Sequence, residues 1–151
     1  MARLRREPGF TLIELVVVLF LLALATGLVL PAVGRGVETL ELRAQVAGFS
    51  AFLRYGRAQA ITKRLAHEVR VDPEAHQLTL FAAGSESPKA RKQTSPRIRF
   101  SADPPGALVV TFWPLGFSNG ATFRVEAQSG RAYQVTVDPI SGRVSSDREA
   151  A

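Results

Sequence analysis

The chain has 151 residues, 46% of them hydrophobic, and a formal charge of +6, enough for one compact domain beside an additional apolar segment. It contains no cysteine, which excludes disulfide frameworks, thiolate metal sites and cysteine nucleophiles. Its 2 histidines, His67 and His76, exclude a histidine-rich metal cluster and leave little for acid–base catalysis.

Residues 1–9 form a short basic stretch in which Arg3, Arg5 and Arg6 oppose Glu7; without it 16 basic and 12 acidic groups remain, a charge of +4. From Phe10 to Leu30 the chain is predominantly apolar with Glu14 as its only charge, and as a helix it spans about 31 Å, enough to cross a bilayer. Helix is the form expected of a lone spanning segment, because hydrocarbon offers its backbone no other hydrogen-bond partner. The preceding arginines keep the N-terminus cytoplasmic and send everything beyond Leu30 across the inner membrane.

Three readings of this segment compete: a secretory signal cut after Ala23-Leu24-Ala25, an uncleaved signal anchor, and a helix that assembles with copies of its kind. Glu14 separates them, because a carboxylate at the bilayer centre costs about 2.5–3.5 kcal/mol. No Lys, Arg or His lies between Phe10 and Pro31, so its partner must come from another chain or from a new terminus.

Gly9-Phe10-Thr11-Leu12-Ile13-Glu14 resembles the type III signal of type IV pilins and type II secretion pseudopilins. The resemblance implies that a prepilin peptidase cleaves after Gly9 and methylates the new terminus at Phe10. It maps the family glutamate onto Glu14, whose charge a neighbour's Phe10 amine would answer in a low-dielectric setting. Pro31 falls where pilin helices commonly bear a proline that bends the shaft helix. Simple helix termination there is the alternative.

Beyond Pro31, Val33, Val37, Leu40, Leu42, Val46, Phe49, Leu53, Ala60 and Ile61 recur mostly three or four apart, which predicts an amphipathic helix to about Arg64. Gly34 and Gly36 weaken its first turns. From His67 the period changes to two, and Val69 and Val71, then Leu78, Leu80 and Phe81, flank Asp72-Pro73-Glu74-Ala75 as a hairpin. His67 and His76 are expected to be exposed strand-end residues rather than metal ligands.

Residues 84–96 are polar and aperiodic and predict a long loop. Lys89, Arg91, Lys92, Arg97 and Arg99 oppose only Glu86 between positions 84 and 99, so the basicity of the chain beyond its leader is a local patch. Further strands are predicted at 97–101, 107–113, 121–128, 132–138 and 143–145, with turns at Ser129-Gly130 and 139–142. Trp113 and Phe117 either plug a sheet end or form a protein contact.

These elements make an α+β chain, a long N-terminal helix with a membrane half and an amphipathic half packed on a C-terminal antiparallel β-sheet domain, which the resemblance identifies as the pilin fold. The expected parts are a cleaved leader at 1–9, a transmembrane assembly helix at 10–31, its amphipathic continuation at 32–66, and a periplasmic β domain at 67–151 with a basic loop at 84–99. Phe112–Gly120 together with Ile140–Val144 resembles the C-terminal domain of H-type minor pseudopilins and FimT-type minor pilins.

The resemblance implies a structural subunit, not an enzyme, with no cofactor, placed at or near the tip of a type II secretion pseudopilus that supports export of folded proteins. Its implied partners are other pilins or pseudopilins, the prepilin peptidase, an inner-membrane assembly platform and secreted cargo. The alternative is a minor pilin that binds DNA for transformation or takes part in pilus biogenesis. Lys89, Arg91, Lys92, Arg97, Arg99 and Arg143, with Arg131 and Arg148 near the C-terminus, are then the candidate phosphate contacts. Gly142-Arg143 matches the FimT-type glycine-arginine motif in part. A solvated basic loop is the other account of the patch.

Overall fold

The computed structural model describes residues 10–149, without the side chains of residues 27–35. The cleavage position Gly9 and the side chain of Pro31 lie outside the described residues. Two compact units divide between Val37 and Glu38.

The N-terminal unit holds the first part of α1 (Leu12–Lys63). Its large apolar side chains from Leu12 to Leu24 are all exposed, on every side of the helix. Such a surface requires lipid or other helices around it. Among the described residues, no helix is long and apolar enough to cross a membrane, and the span expected at 10–30 runs into the side chains left out.

In the second unit α1 contributes Leu42, Val46, Phe49, Leu53 and Ala60 to the core, as the spacing predicts, and Phe52 joins them. Leu40 and Ile61 do not follow the expected stripe, at 70% and 41% exposure. At about 3.6 residues per turn, Leu40 lies roughly 200° round from Leu42, and Ile61 about 100° from Ala60. Val37, at 56%, belongs to the first unit.

The strands are β1 (His67–Asp72), β2 (Gln77–Ala82), β3 (Pro88–Gln93), β4 (Ile98–Asp103), β5 (Val109–Phe112), β6 (Ala121–Ala127), β7 (Ala132–Val137) and β8 (Val144–Arg148). They form two four-stranded antiparallel sheets, ordered β3-β2-β1-β5 and β4-β6-β7-β8. One helix covers both. Phe49 meets Phe100 and Phe123 of the second sheet edge-on at 5.3 and 5.1 Å, while Gly56 lets the helix approach Val69, Leu80 and Phe112 of the first.

A Cβ on Gly56 would stand 2.8 Å from Val69 Cγ2 and 3.3 Å from Leu80 Cδ1. Gly56→Ala gains about 1 kcal/mol of helix propensity but overfills a core at a cost of about 1–3 kcal/mol. We expect thermal melts of the detergent-solubilised chain to show net destabilisation, whereas an exposed helical glycine changed to alanine would stabilise.

Two expectations are corrected. The stretch at 84–99 is not a loop throughout: β3 lies within it and pairs with β2, its residues alternating between half-buried and exposed. Ala90 of this strand packs against the core, and an edge strand rich in Lys and Arg resists further pairing; the alternation was hidden because the aliphatic stem of Lys92 stands at a half-buried position where an apolar side chain usually does. His67 is buried at 3% exposure, its Nδ1 2.8 Å from Leu65 O, rather than exposed. The opposite edge, β5, is closed by Asn119, whose Oδ1 accepts the Thr111 N–H at 2.9 Å and whose Nδ2 donates to Val109 O at 3.0 Å, as a neighbouring strand would.

Candidate functional site

At the start of α1 the chain folds on local chemistry. Thr11 Oγ1 accepts the Glu14 N–H at 3.3 Å, and Thr11 O accepts the first helical bond, from Leu15, at 3.2 Å. Thr-Leu-Ile-Glu is the spacing of a capping box, and an acidic residue in the first turn suits the helix dipole. Thr11 was not singled out from the sequence, although a threonine three residues before a glutamate was the available signal. Phe10 is 79% exposed. The Glu14 carboxylate is exposed and has no ion pair among the described residues.

The structure divides the basic patch. Lys89 and Arg91 project from the edge strand β3, whereas Lys92 leans back over α1, its Nζ 2.8 Å from where a Cβ on Gly48 would stand. Arg97 lies 3.8 Å from Glu41 and Arg99 3.9 Å from Glu126, long pairs between an exposed arginine and a half-buried carboxylate, of small energetic weight. Arg131 donates to Thr39 on α1.

Arg143 belongs to a different cluster. It lines a groove with Arg54 and Arg57 of α1, Ser141, Gly142 and Val144. Arg57 Nε donates to Gly116 O at 3.0 Å, which fixes the 113–120 loop against the helix. Ser118 N–H donates to Pro139 O at 2.9 Å and Ser118 Oγ to Asp138 O at 3.1 Å, tying that loop to the 138–143 turn. Arg54 and Arg57 were not singled out from the sequence; spacing puts them on one helix face, but only tertiary packing brings Arg143 to them.

The 138–143 turn is organised by Asp138, whose Oδ1 accepts from Ile140 N, Ser141 N and Ser141 Oγ at 3.1, 2.7 and 2.7 Å. The Ser141 hydrogen bonds lower the carboxyl's pKa below its ordinary value, with help from Ile140 and the nearby Arg143 charge. A lowered folded pKa stabilises above the unfolded value, about 3.9, and that stability is lost as pH falls through the folded value. We expect wild type to melt above Asp138→Asn at neutral pH, with the gap closing below about pH 4.

Within the 113–120 loop, Trp113 and Phe117 stack on each other with centroids 4.8 Å apart and rings at 18°. Phe112 is fully buried and plugs the core, while Leu115 is 89% exposed and Phe117 37%.

A helix laid over antiparallel sheets, with a bare apolar first part, is the architecture of a pilin-like subunit. Residues 4–30 match the prokaryotic N-terminal methylation motif, and residues 45–142 match type II transport protein GspH; the chain belongs to the GspH family. The type IV minor pilin FimU of Pseudomonas aeruginosa is similar in structure, with TM-score 0.61, 18% identity and coverage of 73% of this chain and 90% of that one. The minor pseudopilin EpsH from the type 2 secretion system of Vibrio cholerae is similar too, with TM-score 0.56, 14% identity and coverage of 72% and 97%. At these identities the likeness is one of fold. No curated protein matches the chain.

Proposed function

We propose that the chain is cut after Gly9, methylated at Phe10, held in the inner membrane by a single span over 10–30 with its β domain in the periplasm, and drawn into a type II secretion pseudopilus as a minor subunit at or near the tip. The observation that carries this reading is the bare apolar surface from Leu12 to Leu24 with Glu14 as its one charge. A helix apolar all round satisfies its surface in lipid or among like helices, and a lone carboxylate there calls for a partner from outside the chain. The membership of the GspH family favours secretion. Pro31 then serves the helix as a bend between membrane and periplasm, and the prepilin peptidase, the assembly platform and exported cargo are the partners.

The second reading, a minor pilin that holds DNA during uptake, is favoured by the convergence of Arg54, Arg57 and Arg143 and by the free cations Lys89 and Arg91 on β3, which have no ion pair among the described residues. Deleting the gene discriminates. Secretion predicts folded exoproteins retained in the periplasm with transformation frequency unchanged, and complementation restores export. Normal export with lost transformation would select the second reading.

A further inference from the structure

The 113–120 loop and the 138–143 turn together present two aliphatic side chains that the fold leaves uncovered: Leu115 is 89% exposed and Ile140 86%. Neither sits on a floppy tip. Gly116 O is held by Arg57 Nε at 3.0 Å, a Cβ on Gly142 would stand 2.2 Å from that same oxygen, and Ser118 bonds to Pro139 and Asp138. Two hydrogen-bonded turns thus each carry one exposed aliphatic side chain, and the second of them also lines a groove with Arg54, Arg57 and Arg143. Ile61, 41% exposed, adjoins it, its Cδ1 3.4 Å from a Cβ built on Gly116.

The charge is one-sided. Asp138 is the only carboxylate in residues 113–120 and 138–143, and its Oδ1 is committed to Ile140 and Ser141. An aliphatic centre with arginines at its margin has the make-up of a protein-binding surface. Single-stranded nucleic acid would instead use cations along a backbone track and aromatic faces for stacking. Leu115 and Ile140 offer neither, and Trp113 and Phe117 spend their faces on each other.

We propose that this face docks an acidic, aliphatic segment of a different pilin-like subunit, an Asp or Glu of the partner reaching the three arginines while an aliphatic side chain covers Leu115 and Ile140. The assignment rests on the reading of the chain as a filament subunit, and charge complementarity selects the occupant. It gives the β domain a lateral contact separate from the packing of the apolar helices.

The test uses the full chain in its own host, with photoreactive benzoylphenylalanine at Leu115 or at Ile140, and at exposed Ser101 on β4 as the control. Irradiation should join the two probe positions, and not Ser101, to another pilin-like subunit. Mass spectrometry should map the adduct to a peptide in which Asp or Glu neighbours an aliphatic residue. Adduct yield should fall severalfold in Arg54→Glu with Arg143→Glu and recover in the Arg54→Lys, Arg143→Lys chain. Adducts to DNA, to lipid or to a second copy, or yields no higher than at Ser101, would overturn the docking face. The filament fraction is assayed in the same cells: a chain absent from it refutes the subunit reading, whereas a chain present but not joined at Leu115 or Ile140 refutes this face alone.

Discussion

Glu14→Val should leave the chain inserted and processed but nearly absent from assembled filaments. The Glu14 carboxylate stands in a helix whose neighbouring side chains are bare and apolar, with no ion pair among the described residues. Insertion gains from the change, because valine is favoured in hydrocarbon where a carboxylate is not. Assembly loses on the proposed reading: removing one partner of a buried pair costs about 3–5 kcal/mol because the other charge, there a neighbour's Phe10 amine, is left uncompensated. At about tenfold per 1.4 kcal/mol, incorporation falls by roughly a hundredfold or more. Immunoblots of membrane and sheared-filament fractions measure it, and normal incorporation would end the assembly account of Glu14. Glu14→Gln is the informative companion, because it keeps a hydrogen-bonding group but removes the charge.

Gly142→Ala should destabilise the β domain at its 138–143 turn. Gly142 has φ 61°, a left-handed conformation costing a residue with a Cβ about 1–2 kcal/mol. Its added Cβ would stand 2.2 Å from Gly116 O and 2.9 Å from Arg57 Nε, and that oxygen is itself held by Arg57. Backbone on one side and a bonded guanidinium on the other leave nowhere to shift, so overpacking adds about 1–3 kcal/mol. The melting temperature should drop by about 10 °C. Gly130→Ala, at φ 83° but with nothing within 4 Å, should show the conformational part alone. Equal losses at both positions would mean that the Gly142–Gly116 approach contributes nothing.

Much of this fold is legible in local pattern. The alternation Val69, Val71, Leu78, Leu80 places β1 and β2, the spacing Leu42, Val46, Phe49, Leu53 marks the buried helix face, and the 139–142 turn follows from its Pro and Gly, although Asp138, which organises it, falls within the strand predicted at 132–138. What stays hidden is non-local. Division of eight strands into two sheets depends on which edges pair, and β5 joins β1 across the chain while Asn119 closes its other side. β3 is concealed because Lys89, Arg91 and Gln93 face solvent, while its inward side carries Pro88, the small Ala90 and the charged Lys92 rather than large apolar side chains. Of the candidate site, the leader motif and Glu14 stand out because each is a chemical anomaly in a uniform background. The arginine groove does not, since Arg54 and Arg57 read as an ordinary solvated helix face until the 138–143 turn lies beside them.

All of the proposed assembly chemistry depends on a terminus created at Phe10, and intact-mass and N-terminal peptide analysis of the protein from membrane fractions reads that directly. The predicted result is a chain beginning with N-methylated Phe10, lacking residues 1–9. A chain beginning at Met1 would make the segment an uncleaved anchor, one beginning at Thr26 would make it an ordinary secretory signal, and either would contradict the assignment of Glu14 to a neighbour's amine.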